Sequence, residues 1–215
     1  MFKISQKLCV VISFIALSGC SSAYYSAMEK VGIHKRDIMV DRVVDAKESQ
    51  QEAQKQFKSA LAEMMALTNV DGGDLETQYN VIQEQYEDSK EAADHVSSRI
   101  DKIEDVSDAL FDEWQDEIEQ ISSAKLKRQS TTKFRETQRR YQSLIKSMHK
   151  AENKMAPVLS ALKDNSLFLK HNLNAKAVGS LQSEMVSIKK DVSALIKDMN
   201  SAIEQSQKFI DMLEK

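Results

Sequence analysis

The stretch that decides the fold runs from Leu75 to Ile121 and reads LETQYNVIQEQYEDSKEAADHVSSRIDKIEDVSDALFDEWQDEIEQI. Its apolar residues recur at steps of three and four positions, or at sums of such steps, from one end to the other. They are Leu75, Tyr79, Ile82, Tyr86, Ala93, Val96, Ile100, Ile103, Leu110, Trp114 and Ile121. These steps keep side chains on one face of an α-helix, and so long a series is typical of helices packed along a seam. We therefore expect one long helix here.

Three further segments carry the same spacing, from Met39 to Leu67, from Phe134 to Leu173 and from Val178 to Leu213. Gln50 and Glu152 occupy seam positions within them, where polar side chains generally specify register. The chain has one proline and five glycines, and 29% of its residues are charged. No stretch after Cys20 alternates as a half-buried strand would. The sequence predicts an all-α protein with four long helices.

Turn signals separate these helices. Residues 69–74 contain two adjacent glycines, residues 172–174 contain two asparagines, and a polar run begins at Ser122. Glycine and asparagine tolerate the left-handed conformation at helix ends. When the chain folds back at each signal, the apolar series align, with Trp114 opposite Phe134. We expect an antiparallel, coiled-coil-like bundle that runs up, down, up and down.

The N-terminus predicts a lipoprotein signal peptide. Lys3 and Lys7 flank its start, and residues 8–17 form an apolar run that is far shorter than the roughly 20 residues needed to cross a bilayer. Leu17-Ser18-Gly19-Cys20 follows and resembles the bacterial lipobox, in which the cysteine carries a diacylglyceryl group and becomes the first residue. The alternative is an ordinary signal peptide with a cysteine near its end.

The lipobox implies three regions. Residues 1–19 are a signal peptide that is removed, residues 20–36 are a lipid-anchored segment, and residues 37–215 form the bundle. In a Gram-negative cell the residue after the cysteine directs sorting, and Ser21 is not the aspartate that retains lipoproteins at the inner membrane. We expect a protein tethered through Cys20 to the outer membrane and facing the periplasm, with Cys20, the tip of the middle hairpin and the C-terminus at the membrane end.

Two sets of residues are candidates for contact with a partner. The first is expected at the end of the bundle away from the membrane and comprises Asp71, Asp74, His171, Asn172 and Asn174. Helix capping and turn formation explain these residues, and a divalent ion or polar ligand is the alternative. The second set is His34 and Arg36, in a charged segment where Gly32 interrupts the apolar spacing. It is either a helix start or hinge, or a docking segment for another envelope protein.

Charge is uneven along the middle hairpin. Residues 104–119 contain eight acids and no Lys or Arg, whereas residues 125–150 contain nine Lys or Arg and one acid. We expect pairing across the hairpin, with Asp112 near Arg135 and Asp108 near Arg139, or contact of the surplus basic residues with anionic lipid head groups. A nucleic-acid partner is not expected, because the aromatic residues lie in the seam and the protein is predicted to be exported.

No constellation of residues predicts catalysis, a cofactor or a metal. Cys9 lies in the removed segment and Cys20 carries lipid, so the mature protein has no free thiol. The four histidines lack a metal-binding spacing, and neither a P-loop nor a G-x-S-x-G elbow occurs. We expect the protein not to be an enzyme.

Several motifs resemble those of an uncharacterised family of bacterial helical lipoproteins filed under a domain of unknown function. The motifs are Val31–Asp37, Asp71–Glu76, Ala109–Trp114, Pro157–Leu159 and Phe168–Ala175. The resemblance implies fold and location but no activity. Such coiled coils are sometimes labelled DNA repair ATPases, a label that the missing P-loop contradicts.

These observations favour a scaffold, spacer or adaptor for an envelope protein of unknown identity. A module that binds peptidoglycan or a small ligand is the alternative, and it requires a concave site. A hairpin that inserts into the membrane is a third reading, which the absence of a long apolar run after Cys20 disfavours. If the same seams pair between chains, the protein is instead a homo-oligomer.

Overall fold

The computed structural model describes residues 20–67, 75–172 and 175–214. Within these ranges the chain forms five α-helices and no strand, which confirms the all-α prediction. The helices are α1 (Cys20–Lys30), α2 (Lys35–Leu67), α3 (Leu75–Gln120), α4 (Ala124–His171) and α5 (Ala175–Leu213). The predicted signal peptide, residues 1–19, lies outside the described residues.

The four long helices form a closed ring. Both α2 and α4 pack against α3 and α5. Across the contact between α2 and α5, Lys47 Nζ donates to Gln207 Oε1 at 3.0 Å and Gln54 Nε2 donates to Asn200 Oδ1 at 2.8 Å. Residue number rises along α2 as it falls along α5, so these helices are antiparallel. The bundle runs up, down, up and down, as predicted.

The register of the α3–α4 hairpin also agrees with the sequence prediction. The rings of Trp114 and Phe134 meet edge to face, with centroids 5.6 Å apart. Towards the other end of the hairpin, the Ser166 hydroxyl donates to Gln83 Oε1 at 2.6 Å. One register therefore holds along the hairpin.

Most of the predicted seam residues form one continuous apolar core, whereas Tyr79, Tyr86, Trp114 and Ile121 are only partly buried. The largest side chains that are fully buried are Phe57, Phe209, Met39, Met64, Leu67, Ile82, Ile100, Ile103, Leu144, Met148, Leu162 and Leu169. Burial of a side chain of this size contributes about 1.5–3 kcal/mol relative to leaving it exposed. All four long helices contribute, so none can be removed without exposing apolar surface on its neighbours.

The short helix α1 was not anticipated from the apolar spacing. Gly32 has a φ of 84° and ends the helix, where Gly32 N–H donates to the Glu29 carbonyl and Ile33 N–H donates to the Met28 carbonyl. This pair of bonds is a Schellman motif, which favours glycine because residues with a Cβ rarely adopt positive φ. The interruption at Gly32 is thus a tight turn between two helices.

From the Gly32 turn, α1 runs back along the side of α3. Lys35 binds both Glu29, near the end of α1, and Glu113 of α3, whereas Tyr25, nearer the start of α1, donates to Asp105 of α3 at 2.5 Å. The start of α1 therefore points away from the tip of the α3–α4 hairpin. The expectation that Cys20 lies at the tip end is wrong for this arrangement, because α1 folds back along the bundle.

The expected ion pairs across the α3–α4 hairpin do not form. Neither Asp112 with Arg135 nor Asp108 with Arg139 comes within 4.0 Å among the described residues, and all four side chains are exposed. A charged group that does link the two helices is His149, which contacts Glu104 of α3 at 3.0 Å and Glu152 of α4 at 2.8 Å.

Polar residues interrupt the core at a few positions. Gln50 is fully buried, and neither its Oε1 nor its Nε2 has a hydrogen-bond partner among the described residues. Glu152, the other predicted polar seam residue, is only partly buried and is bonded to His149. A buried amide without partners destabilises the fold, because its bonds to water are lost and not replaced.

Replacing this amide should stabilise the protein. We expect Gln50→Met, which keeps the length of the side chain, to raise the free energy of unfolding by about 1–3 kcal/mol. Urea denaturation followed by circular dichroism measures this change. Gln51→Met, at the adjacent exposed position, is the matched control and should have little effect. A loss of stability in Gln50→Met would show that the amide is satisfied in solution.

The His149 bridge should make stability depend on pH. Its hydrogen bond to Glu104, together with the one to Glu152, raises the pKa of His149 above its ordinary value of 6.5. The charged form is thus favoured in the folded state, so its stabilisation is fully present below about pH 6.5 and is lost as the pH rises through the raised pKa.

We expect His149→Gln to reduce stability at about pH 5.5, by no more than about 1 kcal/mol because the three side chains are partly exposed. The difference from the unmodified protein should shrink by about pH 8.5. Thermal unfolding at both pH values tests this, with exposed His95→Gln as the control. An equal effect of His149→Gln at both pH values would contradict the assignment.

Candidate partner-binding site at the end of the bundle

The four long helices do not end at the same level. Lys35, at the start of α2, lies next to Glu113 of α3, and Leu213, at the end of α5, lies at the same end of the bundle. From there α3 continues to Gln120 and α4 returns from Ala124. The α3–α4 hairpin therefore projects beyond its two neighbours.

A cavity of about 610 Å³, here called the end cavity, lies where the projecting hairpin leaves the shorter helices. Leu110, Trp114, Met212 and Leu213 provide its apolar wall. Its polar lining includes cations and anions, namely His34, Lys35, Arg36, Asp37, Glu113, Glu117, Lys133 and Thr137. The mixture suits a partner that has apolar groups and charges of both signs.

Aromatic contacts fix the wall of the end cavity. Trp114 packs on Phe134, and its Nε1–H donates to the Ser130 hydroxyl at 3.0 Å. Phe134 in turn contacts Phe111, which packs on Tyr141 with ring centroids 5.4 Å apart. Edge-to-face and tilted ring pairs of this kind hold side chains in defined positions. Trp114 of α3 is therefore held in a defined position by Phe134 and Ser130 of α4.

Lys35 joins three helices beside the cavity. Its side chain is largely buried, and Nζ donates to Glu29 of α1 and, at 2.9 Å, to Glu113 of α3. Burial alone would lower the pKa of Lys35, but these two hydrogen bonds outweigh that effect and raise it. Lys35 therefore stays charged and holds the end of α1 against the bundle.

Thr137 lines the end cavity from α4. The residue is fully buried, and its Oγ1 has no hydrogen-bond partner among the described residues. This hydroxyl is enclosed by protein, so it is an unsatisfied polar group behind the cavity lining and not a contact point for a ligand.

The structure places the described members of the two predicted sets at opposite ends of the bundle. His34 and Arg36 lie together at the end cavity. Asn172 ends α4, where its backbone N–H donates to the Leu169 carbonyl at 3.0 Å, and His171 beside it is exposed.

The other predicted contact residues, Asp71, Asp74 and Asn174, lie outside the described residues. Sequence reasoning also missed Trp114, Glu117 and Lys133 as residues of a cavity. A comparison of where the four apolar series end would have indicated these residues. The series through Trp114 extends beyond the level at which the series on α2 begins.

The described residues form neither a metal-binding group nor a membrane-spanning helix. No group of three or more His, Cys, Asp or Glu side chains among them is arranged to hold a metal ion. None of the described helices combines the length and apolar character needed to cross a bilayer.

The comparison with protein families matches residues 24–213 to a family described as "Protein of unknown function (DUF2959)". The chain belongs to the DUF2959 family. No curated protein matches the chain. The DUF2959 region begins in α1 and ends at Leu213, the last residue of α5, so it contains all four long helices and the residues around the end cavity.

Removing the Lys35 ammonium should release α1. We expect Lys35→Met to speed amide hydrogen exchange in residues 23–30 by about 5- to 30-fold, as the loss of one or two kcal/mol from local packing requires. Exchange in the core of α3 and α4 should not change. Exposed Lys30→Met is the control, and unchanged exchange of α1 in Lys35→Met would contradict the role given to Lys35.

Proposed function

We propose that this DUF2959 protein is a non-enzymatic lipoprotein of the cell envelope that serves as a helical adaptor. In this proposal a lipid on Cys20 tethers it to the outer membrane, and the bundle, in the periplasm, binds a partner protein. The lipobox-like sequence before Cys20 supports the tether. The closed apolar core supports the adaptor role, because the described helices bury one another's apolar faces and the end cavity is a preformed surface where they end.

The observation that carries the proposal is the end cavity and its surroundings. The turn before His34 exposes Val31 and Ile33, which are 71% and 37% accessible to solvent. These side chains immediately precede cavity residues that carry charge, and Trp114 supplies a fixed aromatic wall. Apolar groups ringed by both signs of charge are characteristic of surfaces that bind protein segments.

A small polar ligand is the second candidate for the same site. The volume of about 610 Å³ lies within the range of roughly 300–1,000 Å³ that is typical of ligand pockets. The combination of apolar and polar side chains in the cavity lining is the specific observation in its favour. The concave site that a peptidoglycan-binding module requires is thus available at this end of the bundle.

Photocrosslinking in intact envelopes distinguishes these candidates. A photoreactive side chain in place of Arg36, which lines the cavity, should yield a defined protein adduct, whereas the same group in place of exposed Lys190 on α5 should not. Val31→Asp with Ile33→Asp should abolish the adduct and leave the melting temperature unchanged. Sugar-peptide adducts from Arg36 would support the ligand-binding module, and identical adducts from both positions would contradict a specific site.

The tether has its own test. We expect metabolic labelling with palmitate to mark the protein and Cys20→Ser to remove both the label and the membrane association. Ser21→Ala, at the next residue, should leave both intact. Membrane association that persists without acylation in Cys20→Ser would overturn the proposed anchor.

A further inference from the structure

Two exposed stripes of opposite charge follow the outer side of the α3–α4 hairpin. The acidic stripe on α3 consists of Asp101, Asp108, Asp112 and Glu119. The basic stripe on α4 consists of Arg128, Arg135, Arg139 and Lys146. Each stripe advances by seven, four and seven residues, which keeps its members on one side of a helix.

The register of the hairpin sets the two stripes at matching heights. Trp114 contacts Phe134 and Glu104 contacts His149, so residue numbers fall along α3 as they rise along α4. An acid of one stripe and a base of the other therefore lie at the same height at four levels, and each such pair is here called a rung. From the tip inwards the rungs are Glu119 with Arg128, Asp112 with Arg135, Asp108 with Arg139, and Asp101 with Lys146. The stripes extend about 27 Å, at 1.5 Å per residue.

These charges are not used within the chain. No member of either stripe forms an ion pair within 4.0 Å among the described residues. Asp105, a further acid on this side of α3, accepts the hydroxyl of Tyr25. Neighbouring helices stand about 8–10 Å apart, and the stripes lie on their outer sides rather than in the groove between them. Four complementary rungs are therefore left without partners.

A second copy of the chain can satisfy them in one orientation. Rotation by 180° about an axis parallel to the hairpin places α4 of the second copy over α3 of the first at the same height, so each acid faces a base. Rotation about an axis perpendicular to the hairpin and parallel to the charged face would instead set α3 against α3 and acid against acid. The charges thus favour a parallel two-fold contact and oppose the antiparallel one.

We propose that this charged face is a docking surface for a second copy of the chain in a parallel, two-fold symmetric dimer. Each of the four rungs occurs twice in such a dimer, because a two-fold interface uses the same residues from both copies. An anionic lipid surface fits less well, since the acidic stripe beside the basic one would be repelled by it. The dimer is held mainly by exposed charges, so it should be weak and sensitive to salt.

Charge reversal tests the proposal with two complementary variants. The first carries Arg135→Glu and Arg139→Glu, which makes the two middle rungs acidic on both stripes, and the second carries Asp108→Lys and Asp112→Lys, which makes the two middle rungs basic on both stripes. We expect analytical ultracentrifugation of the full mature chain in detergent to show a dimer for the unmodified protein, weakened by added salt. Each variant alone should associate at least about 100-fold more weakly, because like charges then face each other.

Mixing the two variants should restore a one-to-one dimer, which a purely local loss of folding could not do. Lys189→Glu with Lys190→Glu, at exposed positions of α5, is the matched control and should dimerise as before. Unchanged helicity by circular dichroism verifies that each variant folds. A monomeric unmodified protein at low salt, or variants that fail to pair when mixed, would overturn the proposal. Salt-sensitive binding of the monomeric Cys20→Ser variant to phosphatidylglycerol vesicles, but not to phosphatidylcholine vesicles, would assign the face to lipid instead.

Discussion

The apolar stripes of the four long helices must be buried against one another, and this requirement governs the rest of the structure. The chain has two cysteines, Cys9 in the predicted signal peptide and Cys20 at the predicted lipid, so packing has to hold the fold together. A ring of four antiparallel helices covers every stripe at once. The same ring tolerates a buried amide at Gln50, because the surrounding seam supplies far more stability than one unsatisfied side chain removes.

Unequal helix lengths turn this simple core into an asymmetric molecule. Where α2 and α5 stop, α3 and α4 continue, and the seam that they share reaches past the point at which the ring can cover it. Trp114 lies at that boundary, packed on Phe134 on one side and open to the end cavity on the other. A partner site can therefore arise from the packing requirement itself, without a dedicated loop or domain.

The sequence predicted those features that depend on spacing alone. Helix identity and the pairing of Trp114 with Phe134 follow from local periodicity, which a single chain displays directly. The short helix α1 was missed because its anchoring residues, Tyr25 and Lys35, act on positions of α3 that are distant in sequence. The predicted ion pairs of Asp112 and Asp108 do not form, because equal height on two helices does not bring outward-pointing side chains into contact. The end cavity depends on comparing four helix ends, which no local pattern records.

Because α1 folds back along the bundle, its packing against α3 holds Cys20 away from the hairpin tip. While Tyr25 stays bonded to Asp105, the first residue of α1 is held beside the middle of the bundle, roughly a helix length above the level of the Gly32 turn. In the proposed lipoprotein, a bilayer that receives acyl chains from Cys20 in that state would run alongside the bundle and not beneath its tip. An upright bundle requires α1 to swing about Gly32, and its 11 residues, about 16 Å, are long enough to bring Cys20 down to the level of the hairpin tip. In the proposed lipoprotein, detachment of α1 from α3 would thus decide whether the bundle lies along the membrane or stands upright on it.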